Sequence, residues 1–102
     1  MKKEVLRMEF VFDSKKLETI KMTEEQCLNT IRNYFLKHKI TEISKGIFDS
    51  QDIDNTDPFI YMIMNLPYTD WFLKVIKEWY WYIESDKEDC LKAYYKSTIK
   101  NS

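Results

Sequence analysis

One histidine, His38, and two cysteines, Cys27 and Cys90, are all the imidazole and thiol chemistry in this 102-residue chain. A Ser-His-Asp or Cys-His relay would have to run through His38. That residue stands between Lys37 and Lys39, at the expected end of a helix, where positive charge is favoured without any catalytic role. Zinc takes four ligands, and two distant cysteines with one histidine match no familiar spacing. With Gly46 as the sole glycine, no Gly-rich phosphate loop can form. No pair of carboxylates is spaced to converge on a substrate.

Residues 49–57 invite a calcium reading, because Asp49, Asp52, Asp54 and Asp57 crowd into them. Counted from Asp52, an EF-hand needs Gly at its sixth position and Glu at its twelfth. The chain has Asp57 and Ile63 there. The pattern fails twice, and the segment is predicted as a solvated acidic loop that would steer a basic partner. The expectation is a protein without metal or cofactor, and not an enzyme.

The elements that must position these residues follow from the apolar spacing. Leu6, Met8, Phe10 and Phe12 alternate with Arg7, Glu9 and Asp13, the pattern of a half-buried strand. Leu17 and Ile20 suit one or two helical turns over 14–21. Thr23 and Gln26 form a capping box, with Met22 and Cys27 as its hydrophobic staple. Cys27, Leu28, Ile31, Tyr34 and Phe35 then recur at helical spacing, which predicts a helix over 24–38. Residues 40–48 read as a strand with a bulge at Gly46. Residues 59–66 read as a central strand covered on both faces. Ser85 and Glu88 look like a second capping box, so a last helix is expected from Asp86, burying Cys90, Leu91, Tyr94 and Tyr95, with residues 97–102 frayed.

All three tryptophans fall in residues 71–83. As a strand, this segment puts Trp71, Leu73, Val75, Trp79, Trp81 and Ile83 on one face, with only Lys77 intruding. As a helix, it stacks Phe72, Val75, Ile76, Trp79 and Ile83. Its wealth of Trp, Tyr, Val and Ile favours the strand. The expected fold is a single α+β domain of order β-α-β-β-β-α: an antiparallel sheet of about four strands with two helices on one face. The alternative, a helix over 70–84, gives three strands and three helices.

An antiparallel sheet of this kind leaves one face to water. That face would carry Phe72, Ile76, Tyr80 and Tyr82, an apolar aromatic patch of the sort that marks a partner or self-association. The expected function is a small accessory or regulatory interaction module that forms a homodimer or binds a protein partner. The alternative is a nucleic-acid-binding module, with bases stacked on the aromatics of 71–83 beside Lys74 and Lys77. A net charge of −1 gives no global attraction for nucleic acid. The longest apolar run is too short to span a bilayer. The N-terminal residues are too charged for an export signal, and two lone cysteines suit a reducing compartment, so a cytoplasmic location is expected. Richness in Lys, Ile, Asn and Tyr with little Ala or Gly suggests an AT-rich bacterial genome or a mobile element.

From Glu24 onward the expected α-β-β-β-α order resembles that of double-stranded-RNA-binding domains, with Lys87 and Lys92 on the last helix. The chain departs from them at the start of that helix, where Ser85-Asp86-Lys87-Glu88-Asp89 replaces a basic cluster. The resemblance is one of element order, and no function is carried over from it.

Overall fold

A computed structural model of the chain describes residues 6–83 and 86–100. Strand β1 (Leu6–Phe12) is the first element of the described residues and lies at the centre of the sheet. Helices α1 (Ser14–Thr19) and α2 (Glu24–Leu36) follow, then the hairpin β2 (Thr41–Ser44) and β3 (Ile47–Ser50). Helix α3 (Asp57–Asn65) runs into a 3-10 turn (Leu66–Tyr68), and one further helical turn, α4 (Phe72–Val75), leads into β4 (Ile76–Ile83). Strand β5 (Asp86–Asp89) and helix α5 (Cys90–Lys100) complete it. The sheet order is β2-β3-β1-β4-β5, every pair antiparallel. The α+β class is as expected, with five strands rather than about four.

Alternation in β1 does what its spacing dictates. Leu6, Met8, Phe10 and Phe12 are buried on one face; Arg7 and Glu9 are half-buried and Val11 exposed on the other. The helices cover the first face only. Phe35 of α2 meets Phe48 of β3 at 5.1 Å between ring centroids and Phe59 of α3 at 5.3 Å. Phe59 stacks on Trp81 at 5.8 Å, and Phe72 of α4 sits edge-on to Trp79 at 4.8 Å. The core is thus a chain of aromatic rings, and each fully buried one contributes about 2–3 kcal/mol by removal from water alone. The tryptophans carry a cost: the indole N–H groups of Trp79 and Trp81 are buried with no hydrogen-bond partner among the described residues.

The helix ends are specified locally. Asp13 caps α1 by accepting from the N–H groups of Lys15 and Lys16. The Thr23/Gln26 capping box of α2 is present in both directions, at 3.1 and 2.9 Å. Both helices end in a Schellman turn. Ile40 N–H donates to Phe35 and Lys39 N–H to Leu36; Met22 N–H donates to Leu17 and Lys21 N–H to Glu18. This turn needs a left-handed residue, normally glycine. The chain uses Lys39 (φ 62°) and Lys21 (φ 58°) instead.

Four expectations are corrected. Residues 40–48 are not one strand with a bulge: Gly46 (φ +80°) turns the chain between β2 and β3. A Cβ there would stand 2.5 Å from the Phe10 carbonyl oxygen, so the hairpin tip can approach β1 only as glycine. Residues 59–66 are helical, not a central strand. Pro58 sits in the first turn of α3, where its missing N–H costs nothing, and Phe59, Met62 and Leu66 recur at helical spacing on the buried side. Residues 71–83 are neither one strand nor one helix, since α4 takes the first part and β4 the second. The last helix starts at Cys90, because Asp86–Asp89 pair with Tyr80–Ile83 as β5. This moves Lys87 and Glu88 from the helix to the sheet and replaces the order that resembled RNA-binding domains. Ser85 of the expected capping box lies outside the described residues, as do residues 101–102 of the expected frayed end.

Candidate functional site

The open face of the sheet is built by alternate residues of four strands. Pairing aligns Asp49, Arg7, Tyr82 and Lys87 in one row, and Ile47, Glu9, Tyr80 and Asp89 in the next. Val11 and Glu78 pair beyond them. In β1 and β4 strand parity fixes this placement, since Leu6, Met8, Phe10, Trp79 and Trp81 beside these residues point into the core; β5, exposed throughout, takes its place from pairing with β4.

A bulge in β4 adjusts that parity. Val11 pairs with Glu78 but Phe12 pairs with Ile76, so Lys77 is an extra residue. Strict alternation from Trp81 and Trp79 would drive Lys77 into the core. The bulge lets Lys77 out and returns Ile76 to the buried side at 4% exposure.

The polar groups on the face are held in place. Arg7 donates to both carboxylate oxygens of Asp49, Nε to Oδ1 at 2.7 Å and the terminal nitrogen to Oδ2 at 2.9 Å. That two-point contact, strengthened by the charge of Asp49, raises the Arg7 pKa further. Tyr82 donates to Glu9 at 3.2 Å and Tyr80 to Glu78 at 3.0 Å. The hydrogen bond to Glu78 pushes the Tyr80 phenol up, which keeps it a donor. Lys87 Nζ lies 4.0 Å from the centre of the Tyr80 ring and 5.7 Å from that of Tyr82. With Asp49 matched by Arg7, the remaining charges are Glu9, Glu78 and Asp89 against Lys87 and the bulged-out Lys77, an acidic excess of one.

The expected partner-binding set is divided by the structure. Tyr80 and Tyr82 are on the open face, both half-buried. Phe72 and Ile76 are not: Phe72 is fully buried against Trp79, Phe10 and Phe12, and Ile76 is turned inward by the bulge. Arg7 and Glu9, expected only as the polar side of β1, and Lys87, expected on the last helix, belong to the face as well. The alternation of β1 was the signal for the first two; only strand pairing places Lys87.

The acidic set is also divided. Asp49 is a buried strand residue under Arg7, and Asp57 is the first residue of α3. Only Asp52 and Asp54 remain in the loop, where Asp52 Oδ1 accepts from the Asp54 N–H at 2.9 Å. Among the described residues, no three His, Cys, Asp or Glu side chains converge as a metal site would require. Lys74 and Lys77 are exposed, but Trp79 and Trp81 are packed in the core and offer no stacking platform.

His38 lies in a polar hollow of about 510 Å³ that also contains Ser50 and Asp52. The three do not form a relay. The Ser50 hydroxyl donates to the Asp52 carbonyl at 3.0 Å and accepts from the Asp52 N–H and Asn55 Nδ2. The His38 ring packs on Tyr34 instead, at 4.5 Å. Cys90 is held as a thiol, its pKa pushed up to about 12 by burial and then by Asp89 and Glu88. Cys27 is raised as well, by burial first and then Glu24.

Fold and site together define a small α+β protein with a one-sided helical layer and an ordered, acidic and aromatic open sheet face. No family model, curated protein or solved structure matches the chain. No helix among the described residues is long and apolar enough to cross a membrane.

Proposed function

We propose that the protein is a small non-catalytic interaction module that holds a basic protein partner against the open face of its sheet. The observation that carries this reading is the pair Tyr80 and Tyr82, two residues apart on an uncovered sheet and each tied to a carboxylate, at 3.0 and 3.2 Å. Tyrosines fixed in this way offer large contact area at little further entropic cost, which is why they anchor interfaces. The acidic excess from Glu9, Glu78 and Asp89 selects a cationic surface and speeds encounter with it. Enzymes that act on nucleic acid carry such surfaces. An accessory subunit or inhibitor of one of them fits the face best; composition suggests a bacterial mobile element as its source, and the two lone cysteines suit the cytoplasm. A nucleic-acid ligand itself fits poorly, because the same acids repel phosphate.

The test is capture of the tagged protein from host lysate after nuclease treatment, with wild type and the Tyr80→Ala/Tyr82→Ala variant side by side. A basic protein retained by wild type, released as salt rises and lost with the variant supports the reading. Retention of the same proteins by both removes it. A band shift with DNA or RNA at low salt would favour the nucleic-acid alternative.

A further inference from the structure

Between its exposed terminal residues Asp57 and Asn65, helix α3 carries only apolar and aromatic side chains, yet only half of it is covered. Phe59 and Met62 face the core, while Ile60 is 39% exposed, Tyr61 48% and Met64 63%. A helix whose middle seven residues include no charged or amide side chain is suited to an interior rather than to water. The exposed strip continues into the 3-10 turn, where Tyr68 is 76% exposed, and across to α5, where Tyr95 is 48% exposed. The rings link the elements: Tyr68 lies 6.0 Å from Tyr94, and Tyr94 5.3 Å from Tyr95. Between α3 and α5 runs a groove of about 300 Å³, lined by Ile63, Met64, Tyr68, Ala93 and Tyr94, with Cys90 buried in it.

We propose that this helical face is the interface of a symmetric homodimer, distinct from the sheet face that holds the partner. Three features choose a second copy as the occupant. First, Ile60, Tyr61, Met64, Tyr68 and Tyr95 carry no charge, so a two-fold axis through them opposes no like charges. Two sheet faces would instead bring Glu9, Glu78 and Asp89 against their own copies. Second, protrusion and groove are neighbours: Met64 and Tyr68 project at the lip of the α3–α5 groove, so each copy offers what the other receives, as an isologous contact requires. Third, the exposed parts of these five side chains come to roughly 500 Å² per copy at ordinary side-chain areas. A standard interface of about 800 Å² per partner then needs only a polar rim. Asp57 and Asp70 beside this strip, with Lys92 and Lys96 on α5, supply both signs for that rim; all four are exposed.

Sedimentation velocity and light scattering test this directly. Wild type should run as a dimer at roughly 10–100 µM, the range in which a stable interface is saturated. Met64→Glu with Tyr68→Glu should raise the dissociation constant at least about 100-fold, since the charges are buried against apolar side chains. The far-UV spectrum and thermal midpoint extrapolated to low protein concentration should stay as in wild type. Ile60→Lys alone should weaken the dimer too, and its exposed position keeps the fold out of question. Tyr80→Ala/Tyr82→Ala should leave the dimer intact, so loss of partner binding and loss of dimerisation are separable. A wild-type monomer at 100 µM overturns the inference, whatever foreign protein or lipid the strip then proves to bind. So does a dimer that survives both the double variant and Ile60→Lys.

Discussion

Arg7 and Asp49, on neighbouring strands and 42 positions apart, are locked by two parallel hydrogen bonds of 2.7 and 2.9 Å. Asp49 is 5% exposed while the Arg7 side chain is 37% exposed. The acid is therefore the buried member, and the arginine covers it from the solvent side. This pair ties the β2–β3 hairpin to the centre of the sheet and sets the floor of the open face.

Removing one member should cost more than removing both. Arg7→Ala leaves a buried carboxylate unpaired and should destabilise the protein by about 2–3 kcal/mol. Arg7→Ala/Asp49→Ala removes the orphaned charge as well and should recover part of that loss. Urea unfolding of the two single variants and the double variant measures the coupling. Simple additivity would show that the pair does not act as a unit.

Glu42 does the corresponding work on the helical side. Its Oε1 accepts from Arg32 Nε at 2.7 Å and its Oε2 from the Gly46 N–H at 3.0 Å. Burial alone would raise its pKa, but the Arg32 and Gly46 hydrogen bonds win, and the carboxyl ends below its ordinary value. A lowered folded-state pKa gives stability that is complete above the unfolded value and is lost as pH falls through the folded one. Glu42→Gln should therefore cost about 1–2 kcal/mol at neutral pH. The gap between wild type and variant should close as pH drops below about 4. A gap that stays constant with pH would mean the carboxylate charge contributes nothing.

Positive φ has opposite consequences at Lys39 and Gly46. Lys39 occupies the glycine position of a Schellman turn with its side chain exposed, so Lys39→Gly relieves backbone strain and should stabilise by about 0.5–1 kcal/mol. Lys21→Gly should act in the same direction. Gly46→Ala meets both a left-handed backbone and the Phe10 carbonyl at 2.5 Å, and should destabilise by more than about 2 kcal/mol. Thermal melts of the three variants decide it, and a lower midpoint for Lys39→Gly would contradict the assignment of strain.

Thiol labelling reads the core. With Cys90 near 12 and Cys27 also raised, and both buried, native protein at pH 8 should react with a thiol reagent at less than about 1% of the unfolded rate. Two thiols should then appear together on denaturation. Rapid native labelling of one cysteine would show that its cover opens locally.

The sequence by itself determined the elements whose signals are local. The alternation of Leu6 to Phe12 fixed β1, and the Thr23/Gln26 box fixed the start of α2, because each needs only residues a few positions apart. Pro58 was also a local signal, and it marks a helix start that the density of apolar residues after it obscured. Tertiary structure alone decided the rest. The split of residues 71–83 into α4 and β4 depends on β1 pairing as far as Ile76. The bulge at Lys77 depends on which face the helices cover, and it is what buried Ile76. Asp86 to Asp89 have no apolar pattern and become a strand only because β4 offers an unpaired edge. The division of the aspartates has the same origin: Asp49 is a core-edge residue because Arg7 lies opposite it, and nothing within several positions of either residue records that pairing. Short-range periodicity specifies a residue's conformation, whereas its role depends on what the folded chain sets beside it.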